Sequence, residues 1–340
     1  MILDGHASQA ISACAAALRS GELVAFPTET VYGLGADAGN DAAVAKIFSA
    51  KGRPANHPLI VHVGDAAGVA HFASEVPDFA RALMRAFWPG PLTLILRRQR
   101  GVAGAAAGGQ DSIGLRCPSH PVAQALLRAC LEVGVQGIAA PSANAFGRVS
   151  PTTAAHVQSE FGAELLILDG GPCSVGIESS IIDCTRSVPV LLRPGAVTRE
   201  QAQAACGCKV LLKEDLLAHH APTPRASGTL ESHYAPKAKV RLMDAHALQT
   251  ALDLLGVAAL AGESRASPLI ATYSRAVLKP RSARVLCKRM PEGASATAQQ
   301  LFAVLREFDS QGVQLIWIET PPESPEWDGV RDRLQRAAAD

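Results

Sequence analysis

Residues 8–19 place Ile11, Ala15 and Leu18 at helical spacing, and the apolar run 23–26 that follows stops at Pro27. A helix followed by a buried strand is therefore predicted. Apolar runs recur at 59–63, 92–96, 113–115, 137–140, 165–168, 181–182 and 189–192, with helix-like segments at 41–50, 78–87 and 121–133 between several of them. Strands alternating with helices predict an α/β fold, and the pattern leaves the strand order open. From 213 to 238 the periodicity stops, broken by Pro222, Pro224, Ser227, Gly228 and Pro236, so this stretch is expected to be an interdomain linker. Beyond it, a strand at 240–243, a helix at 245–255, a strand at 269–271, a helix at 297–308 and the run 313–318 predict a second, smaller α/β unit. In its 297–308 helix, Leu301, Val304, Leu305 and Phe308 fall on one face, as core contacts do. The expected division is 1–212, 213–238 and 239–340.

At 340 residues the chain has room for two domains of about 150 residues each. Apolar residues at 48% against charged ones at 19% support packed cores rather than disorder. Lys and Arg (32) barely outnumber Asp and Glu (31), so the strong basic field of a phosphate-tracking protein is missing. The densest basic cluster, Arg97-Arg98-Gln99-Arg100, reads as a solvated loop tip. The sequence holds no apolar run of about 18 residues and no basic start followed by an apolar stretch. A cytoplasmic protein without a membrane span is the expectation. Eight cysteines are scattered without a Cys-x-x-Cys pair, which suggests neither a zinc ribbon nor a disulfide scaffold. Cys206-Gly207-Cys208 is the close pair, and it reads as two ordinary thiols.

Two loops carry the candidate chemistry. Ala50-Lys51-Gly52-Arg53-Pro54 precedes one apolar run and Ala140-Pro141-Ser142-Ala143-Asn144 follows another. In an open α/β sheet ligands bind where strands end, so the two loops are expected to share a site. Lys51 and Arg53 offer two cations to an anion, and Ser142 and Asn144 offer short hydrogen-bonding groups that fix orientation. By itself, a Lys-x-Arg pair on a loop fits a solvated surface pair as well. Gly33-Leu34-Gly35 is not a dinucleotide loop, because Pro-Thr-Glu-Thr intervenes between strand and glycines and Ala38 stands where the third glycine belongs. A Walker-type phosphate loop is absent as well.

Around these loops, Phe26-Pro27-Thr28-Glu29-Thr30-Val31-Tyr32-Gly33-Leu34-Gly35, Lys51-Gly52-Arg53-Pro54, His57-Pro58-Leu59-Ile60-Val61-His62 and Trp88-Pro89-Gly90-Pro91-Leu92-Thr93 come in order. Gly114-Leu115-Arg116-Cys117-Pro118, Pro141-Ser142-Ala143-Asn144, Glu178-Ser179-Ser180-Ile181-Ile182-Asp183 and Leu192-Arg193-Pro194-Gly195 continue the series. Together they resemble the YrdC-type threonylcarbamoyl-AMP synthases. Ser232-His233-Tyr234-Ala235-Pro236 resembles the linker of the long, two-domain form.

The resemblance implies a twisted, open mixed sheet with helices and a smaller C-terminal Rossmann-like α/β domain. It implies an enzyme that joins L-threonine, bicarbonate or carbon dioxide, and ATP into threonylcarbamoyl-AMP and pyrophosphate. The product serves modification of the adenosine beside the anticodon of certain tRNAs, through a downstream transfer machinery. Lys51 and Arg53 match the catalytic positions. Thr30, His62, Arg116, Ala140 and Ser179 match the amino-acid pocket, with Arg116 gripping the threonine carboxylate or else serving a structural ion pair. His57, Ser112, Ser142, Asn144, Ser150 and Arg193 match the nucleotide positions, and Tyr234 would close over ATP as part of a lid. Two departures stand out: position 57 is frequently Asn in the family, and the Ser-Pro-Gly-Met opening of the linker is replaced by Ala226-Ser227-Gly228-Thr229-Leu230-Glu231. Mg²⁺ is expected with ATP, to compensate the triphosphate charge. The alternatives are an RNA-binding accessory protein for double-stranded RNA or tRNA, against which the near-neutral charge speaks, and a carbamoyl-transfer maturation factor, whose zinc modules are absent.

Overall fold

The computed structural model describes residues 1–217, 224–228, 233–260 and 269–339. They divide into two compact units, Met1–Phe146 with Ser150–Thr229, and Gly147–Val149 with Leu230–Asp340. In the first unit the helix Ser8–Arg19 buries Cys14, Ala15 and Leu18, and the helix Pro121–Glu132 buries Val122, Leu126 and Cys130. These pack with Phe26, Ile138 and Leu168 into one core layer. A second layer sets Val44, Ile47 and Leu83 of the helices Asp41–Lys51 and Asp78–Phe87 against Leu34, Leu94 and Leu115. Apolar side chains thus leave both faces of the strands, as the near-continuous apolar runs require.

Among the described residues the first unit forms a 12-stranded sheet. Its order is Ile2–Asp4, Leu166–Asp169, Val24–Phe26, Gly33–Asp37, Ile138–Ala139, Ile60–His62, Ser112–Arg116, Leu92–Arg98, Ser180–Asp183, Val190–Arg193 and Leu211–Leu212, with Ala73–Glu75 beside Leu92–Arg98. The sheet is mixed. Ile60–His62 runs parallel to Ser112–Arg116 and pairs His62 with Arg116, whereas Val24–Phe26 runs antiparallel to Gly33–Asp37. The register matters for the site, because it brings two parallel strands to an end side by side on residues with polar side chains.

Gly33–Asp37 was not expected from the sequence, since its glycines carry no apolar period. They are there for clearance: a Cβ at Gly35 would come within 2.7 Å of Ile138 and 2.9 Å of the Phe26 ring. The helices Ala154–Phe161 and Arg199–Cys206 also escape the periodicity, being only 8 residues each. Both start on a threonine cap, Thr153 and Thr198, the latter in a capping box with Gln201. The first turn of the stretch read as a linker is helical, Lys213–Leu217.

The second unit is a parallel sheet of Lys239–Met243, Leu315–Glu319, Ile270–Ser274 and Val285–Arg289, in that order. The helix Ala294–Ser310 buries Leu301, Phe302, Val304, Leu305 and Phe308, the face anticipated from spacing. Among the described residues no helix is long and apolar enough to cross a membrane.

Candidate functional site

The helix Asp41–Lys51 begins on Asn40, whose side chain accepts from Ala43 N, and ends at Gly52 with φ +62°. Gly52 N donates to Ser49 O at 3.3 Å and Arg53 N to Phe48 O at 3.0 Å, the Schellman arrangement that a left-handed glycine permits. That turn puts Lys51 at the last helical position with Arg53 just past it. The Lys51 ammonium donates to Ser142 O at 2.6 Å and to Asn144 O. Phe146 N donates back to Lys51 O at 2.9 Å, and Gly33 bridges to Ser142. The two loops singled out in the sequence are therefore one structure. Burial, and after it the neighbouring Arg53, hold Lys51 well below the usual lysine range. Arg53 donates to Pro58 O at 2.9 Å and Ser227 Oγ at 3.3 Å, and its guanidinium lies 5.5 Å from the centre of the Phe146 ring. His57 meets the same ring edge-on, at 5.5 Å between centroids.

Arg116 ends the strand Ser112–Arg116. Its Nη1 donates to Thr30 Oγ1 at 2.8 Å, and its Nη2 lies 2.8 Å from Glu29 Oε1, with side chains 4% and 6% exposed. Glu29 Oε2 in turn accepts from Ser119 N at 3.0 Å, and Thr28 Oγ1 meets Thr30 Oγ1 at 2.9 Å. The third donor, Arg116 Nε, is buried without a hydrogen-bond partner among the described residues. So the ion pair weighed against carboxylate binding is present, and a donor remains over. Beside Arg116 in the register, His62 is buried with Nδ1 unpartnered and its ring edge-on to Phe26. Burial, then the Arg116 charge, push it down to about 3, so at neutral pH it is an uncharged acceptor. Ala140 N is tied to Ile60 O at 2.9 Å, and a Cβ at Gly33 would lie 3.2 Å from the Ala140 methyl. A cation, a hydroxyl and a neutral imidazole are what this corner offers.

The third group centres on Arg193, the last residue of the strand Val190–Arg193. Its Nε and Nη2 donate to Ser179 O at 3.1 and 2.9 Å, Nη2 reaches Ser179 Oγ at 3.2 Å, and Nη1 donates to Ser227 O at 2.7 Å. Ser179 Oγ continues to Thr93 Oγ1 at 2.7 Å. Gly195 is the reason this turn fits, because a Cβ there would stand 2.5 Å from Ser180 N and 2.8 Å from Glu178 O. Ser150 Oγ donates to Glu178 Oε1. Ser112 lines a recess with Thr93, Gly114, Arg225, Ala226 and Ser227, in which about 10 Å³ stays open, roughly the space of one water. Ser227 thus bonds to both Arg53 and Arg193 and lines the recess beside Ser112.

Several of these partners were not singled out in the sequence. Glu29 and Glu178 stand inside the quoted strings, yet their pairings with Arg116 and Ser150 join distant segments. Thr93, Phe146 and Ser227 gave no separate signal. Tyr234 belongs to the second unit, where its ring stacks on Phe302 at 5.5 Å and Arg333 lies 5.2 Å from its centre. Its assignment to the nucleotide rests on the resemblance alone.

Known proteins resemble the chain along nearly its whole length. The family described as "Telomere recombination" (Sua5, YciO, YrdC) matches residues 16–195, and "Threonylcarbamoyl-AMP synthase, C-terminal domain" matches 197–339. The threonylcarbamoyl-AMP synthase of Bacillus subtilis is 38% identical, over 96% of this chain and 92% of that protein. The one from Pyrococcus abyssi is 36% identical, over 94% and 92%. The crystal structure of P. abyssi Sua5 complexed with L-threonine superposes with a TM-score of 0.87 at 34% identity, covering 99% of this chain and 97% of that one. The chain belongs to the threonylcarbamoyl-AMP synthase family, with both the YrdC-type domain and the family's C-terminal domain.

Proposed function

We infer that this protein is an L-threonylcarbamoyladenylate synthase, which joins L-threonine, bicarbonate or CO2, and ATP and releases pyrophosphate. The observation that carries this reading is the placing of the buried Lys51 against the Ser142–Asn144 loop with the buried Arg53 two residues on, in the same unit as the Arg116–Thr30–His62 corner. The threonine amine first becomes a carbamate. A carbamate oxygen then attacks the α-phosphorus, the new O–P bond forms, the bond to the β-phosphate breaks, and pyrophosphate leaves. No covalent nucleophile is needed, since positioning and charge stabilisation supply the acceleration.

In this reading Arg53 takes phosphate oxygens with its fork and Lys51 adds a compact charge as the transition state forms. Arg116 holds the threonine carboxylate, with Glu29 fixing the plane of the guanidinium. Thr30, His62, Ala140 and Ser179 line the amino-acid pocket, and the uncharged His62 accepts the threonine hydroxyl. His57, Ser112, Ser142, Asn144, Ser150 and Arg193 surround the nucleotide. Ser227 must then leave Arg53 and Arg193 when ATP enters. Mg²⁺ comes in with the triphosphate: among the described residues, no group of three His, Cys, Asp or Glu side chains is placed to hold a metal. The product goes to a transfer enzyme that modifies tRNA in the cytoplasm.

The test is an incubation with ATP, Mg²⁺, bicarbonate and L-threonine, following pyrophosphate and the adenylate by mass spectrometry. Threonine-dependent formation of both is expected. ATP binding without either product overturns the chemistry, and RNA competing for the same surface then favours the accessory-protein reading.

A further inference from the structure

Cys206 is the last residue of the helix Arg199–Cys206, and Cys208 follows it across Gly207, whose φ of +68° turns the chain out of the helix. Three bonds fix this loop. Gly207 N donates to Gln203 O at 2.9 Å, Val210 N to Gln203 Oε1 at 3.1 Å, and Arg199 Nε to Val210 O at 2.7 Å. Held in this way, the thiol of Cys208 donates to Sγ of Cys206 at 3.3 Å. Both thiols are part-exposed, whereas Cys14, Cys117, Cys130, Cys173 and Cys184 are buried. Adenylate chemistry has no use for either sulfur.

We propose that Cys206 and Cys208 form a dithiol site that a small-molecule disulfide converts reversibly into an intraloop disulfide. The sulfurs must approach by about 1.3 Å from their present separation to reach bonding distance, a movement within side-chain rotation because the loop already faces them together. Cys206 is the attacking sulfur: its thiolate displaces one thiolate from the disulfide RSSR and leaves a mixed disulfide. Cys208 then attacks Cys206 Sγ, the protein S–S bond forms, and the second thiol departs. Two protein thiols are oxidised, one RSSR is reduced to two RSH, and the two thiol protons end on the leaving thiols. Burial, and next the hydrogen bond to Cys206, push Cys208 up to about 11. That bond is lost once Cys206 carries the mixed disulfide, which removes the second of these two causes before Cys208 attacks. Burial holds the nearby Cys184 well above the usual thiol range, so it keeps its proton and stays out of the exchange.

The test uses the full chain with glutathione disulfide, followed by acid quenching, alkylation of free thiols and tryptic digestion. Both cysteines fall in one peptide, 200–209. The expected result is that this peptide loses two hydrogens, about 2 Da, carries neither alkyl group nor glutathione, and regains both alkylation sites after dithiothreitol. Cys208→Ser is expected to trap one glutathione on Cys206. Cys287, exposed and alone, is expected to take one glutathione and shows that the oxidant acted. A 200–209 peptide that stays fully alkylated while Cys287 is modified overturns the proposal. Two glutathione adducts on that peptide, or a Cys206–Cys184 link, overturn it as well.

Discussion

The Arg116–Glu29 pair allows the structural and the functional roles of one arginine to be separated. Both side chains are almost wholly buried and lie 2.8 Å apart, so Arg116→Met strands a carboxylate that keeps Ser119 N as its hydrogen-bond donor. Breaking a buried pair from one side costs about 3–5 kcal/mol. Glu29→Gln in the same chain removes the stranded charge, and the double variant is expected to recover most of that loss in urea unfolding. Threonine binding behaves differently if Arg116 grips the substrate carboxylate. One charge-assisted hydrogen bond from the remaining donor, at about 1.5–3 kcal/mol, amounts to a factor of about 10–10² in affinity. The double variant is therefore expected to be stable and to bind ATP normally, while the threonine KM in the pyrophosphate assay rises by that factor. If the double variant recovers threonine affinity to within a few-fold of the native enzyme, the ion pair is all that Arg116 does, and the pocket assignment fails.

Other expectations are as direct. His62 is held down to about 3 against about 6.5 unfolded, so its contribution to stability is complete above 6.5 and is lost as pH falls towards 3. That is about 2 kcal/mol between pH 7 and 5. Denaturant midpoints at both pH values should show this difference shrinking by more than half in His62→Asn; an unchanged slope contradicts it. Gly195→Ala drives a methyl against Ser180 N at 2.5 Å, backbone that cannot step aside. A loss of about 1–3 kcal/mol is expected, together with weaker ATP binding as Arg193 shifts; wild-type values for both in the same titrations contradict the fit. Lys51→Met is expected to lower turnover by about 10²–10³-fold with threonine binding nearly unchanged, and equal losses in both would move Lys51 out of the phosphate site.

How far the sequence led depends on the range over which each signal acts. Asn40, the apolar spacing of 41–50 and Gly52 together specify a helix and its stop, and that local stop is what delivers Lys51 and Arg53 to one place. Arg116 was legible because it ends an apolar run, and strand ends carry ligands, whereas His62 lies inside the run 59–63 and was marked by the family resemblance alone. Glu29 was visible as a residue but not as a partner, since pairing it with Arg116 requires the strand order, which periodicity does not contain. Gly33–Asp37 was lost for a related reason: its glycines are chosen by the approach of Phe26 and Ile138, a tertiary constraint without local pattern. Ser227 lies in a stretch with no period at all, so its bonds to Arg53 and Arg193 had no precursor in the chain.

Those bonds point to how the site receives a charged substrate. Buried cations cannot be left without acceptors, and here Lys51, Arg53 and Arg193 donate to carbonyl oxygens of Ser142, Asn144, Pro58, Ser179 and Ser227 and to the hydroxyls of Ser227 and Ser179. Neutral acceptors offset such a charge less well than a phosphate does, so under the proposed assignment ATP is expected to enter by exchange. Lys51 registers the exchange most clearly, because burial and Arg53 keep it well below the ordinary lysine value although Glu160 and Glu178 act the other way. An arriving triphosphate reverses the second cause and raises it. Between the free-enzyme value and the ordinary one near 10.4, nucleotide binding must therefore take up a proton, and affinity must fall as pH rises through that window. Calorimetric titrations at about pH 9 in buffers of different ionisation heat should show uptake in the native enzyme and none in Lys51→Met. Heats independent of buffer would mean that Lys51 is already charged before ATP arrives, and that the carbonyls around it suffice.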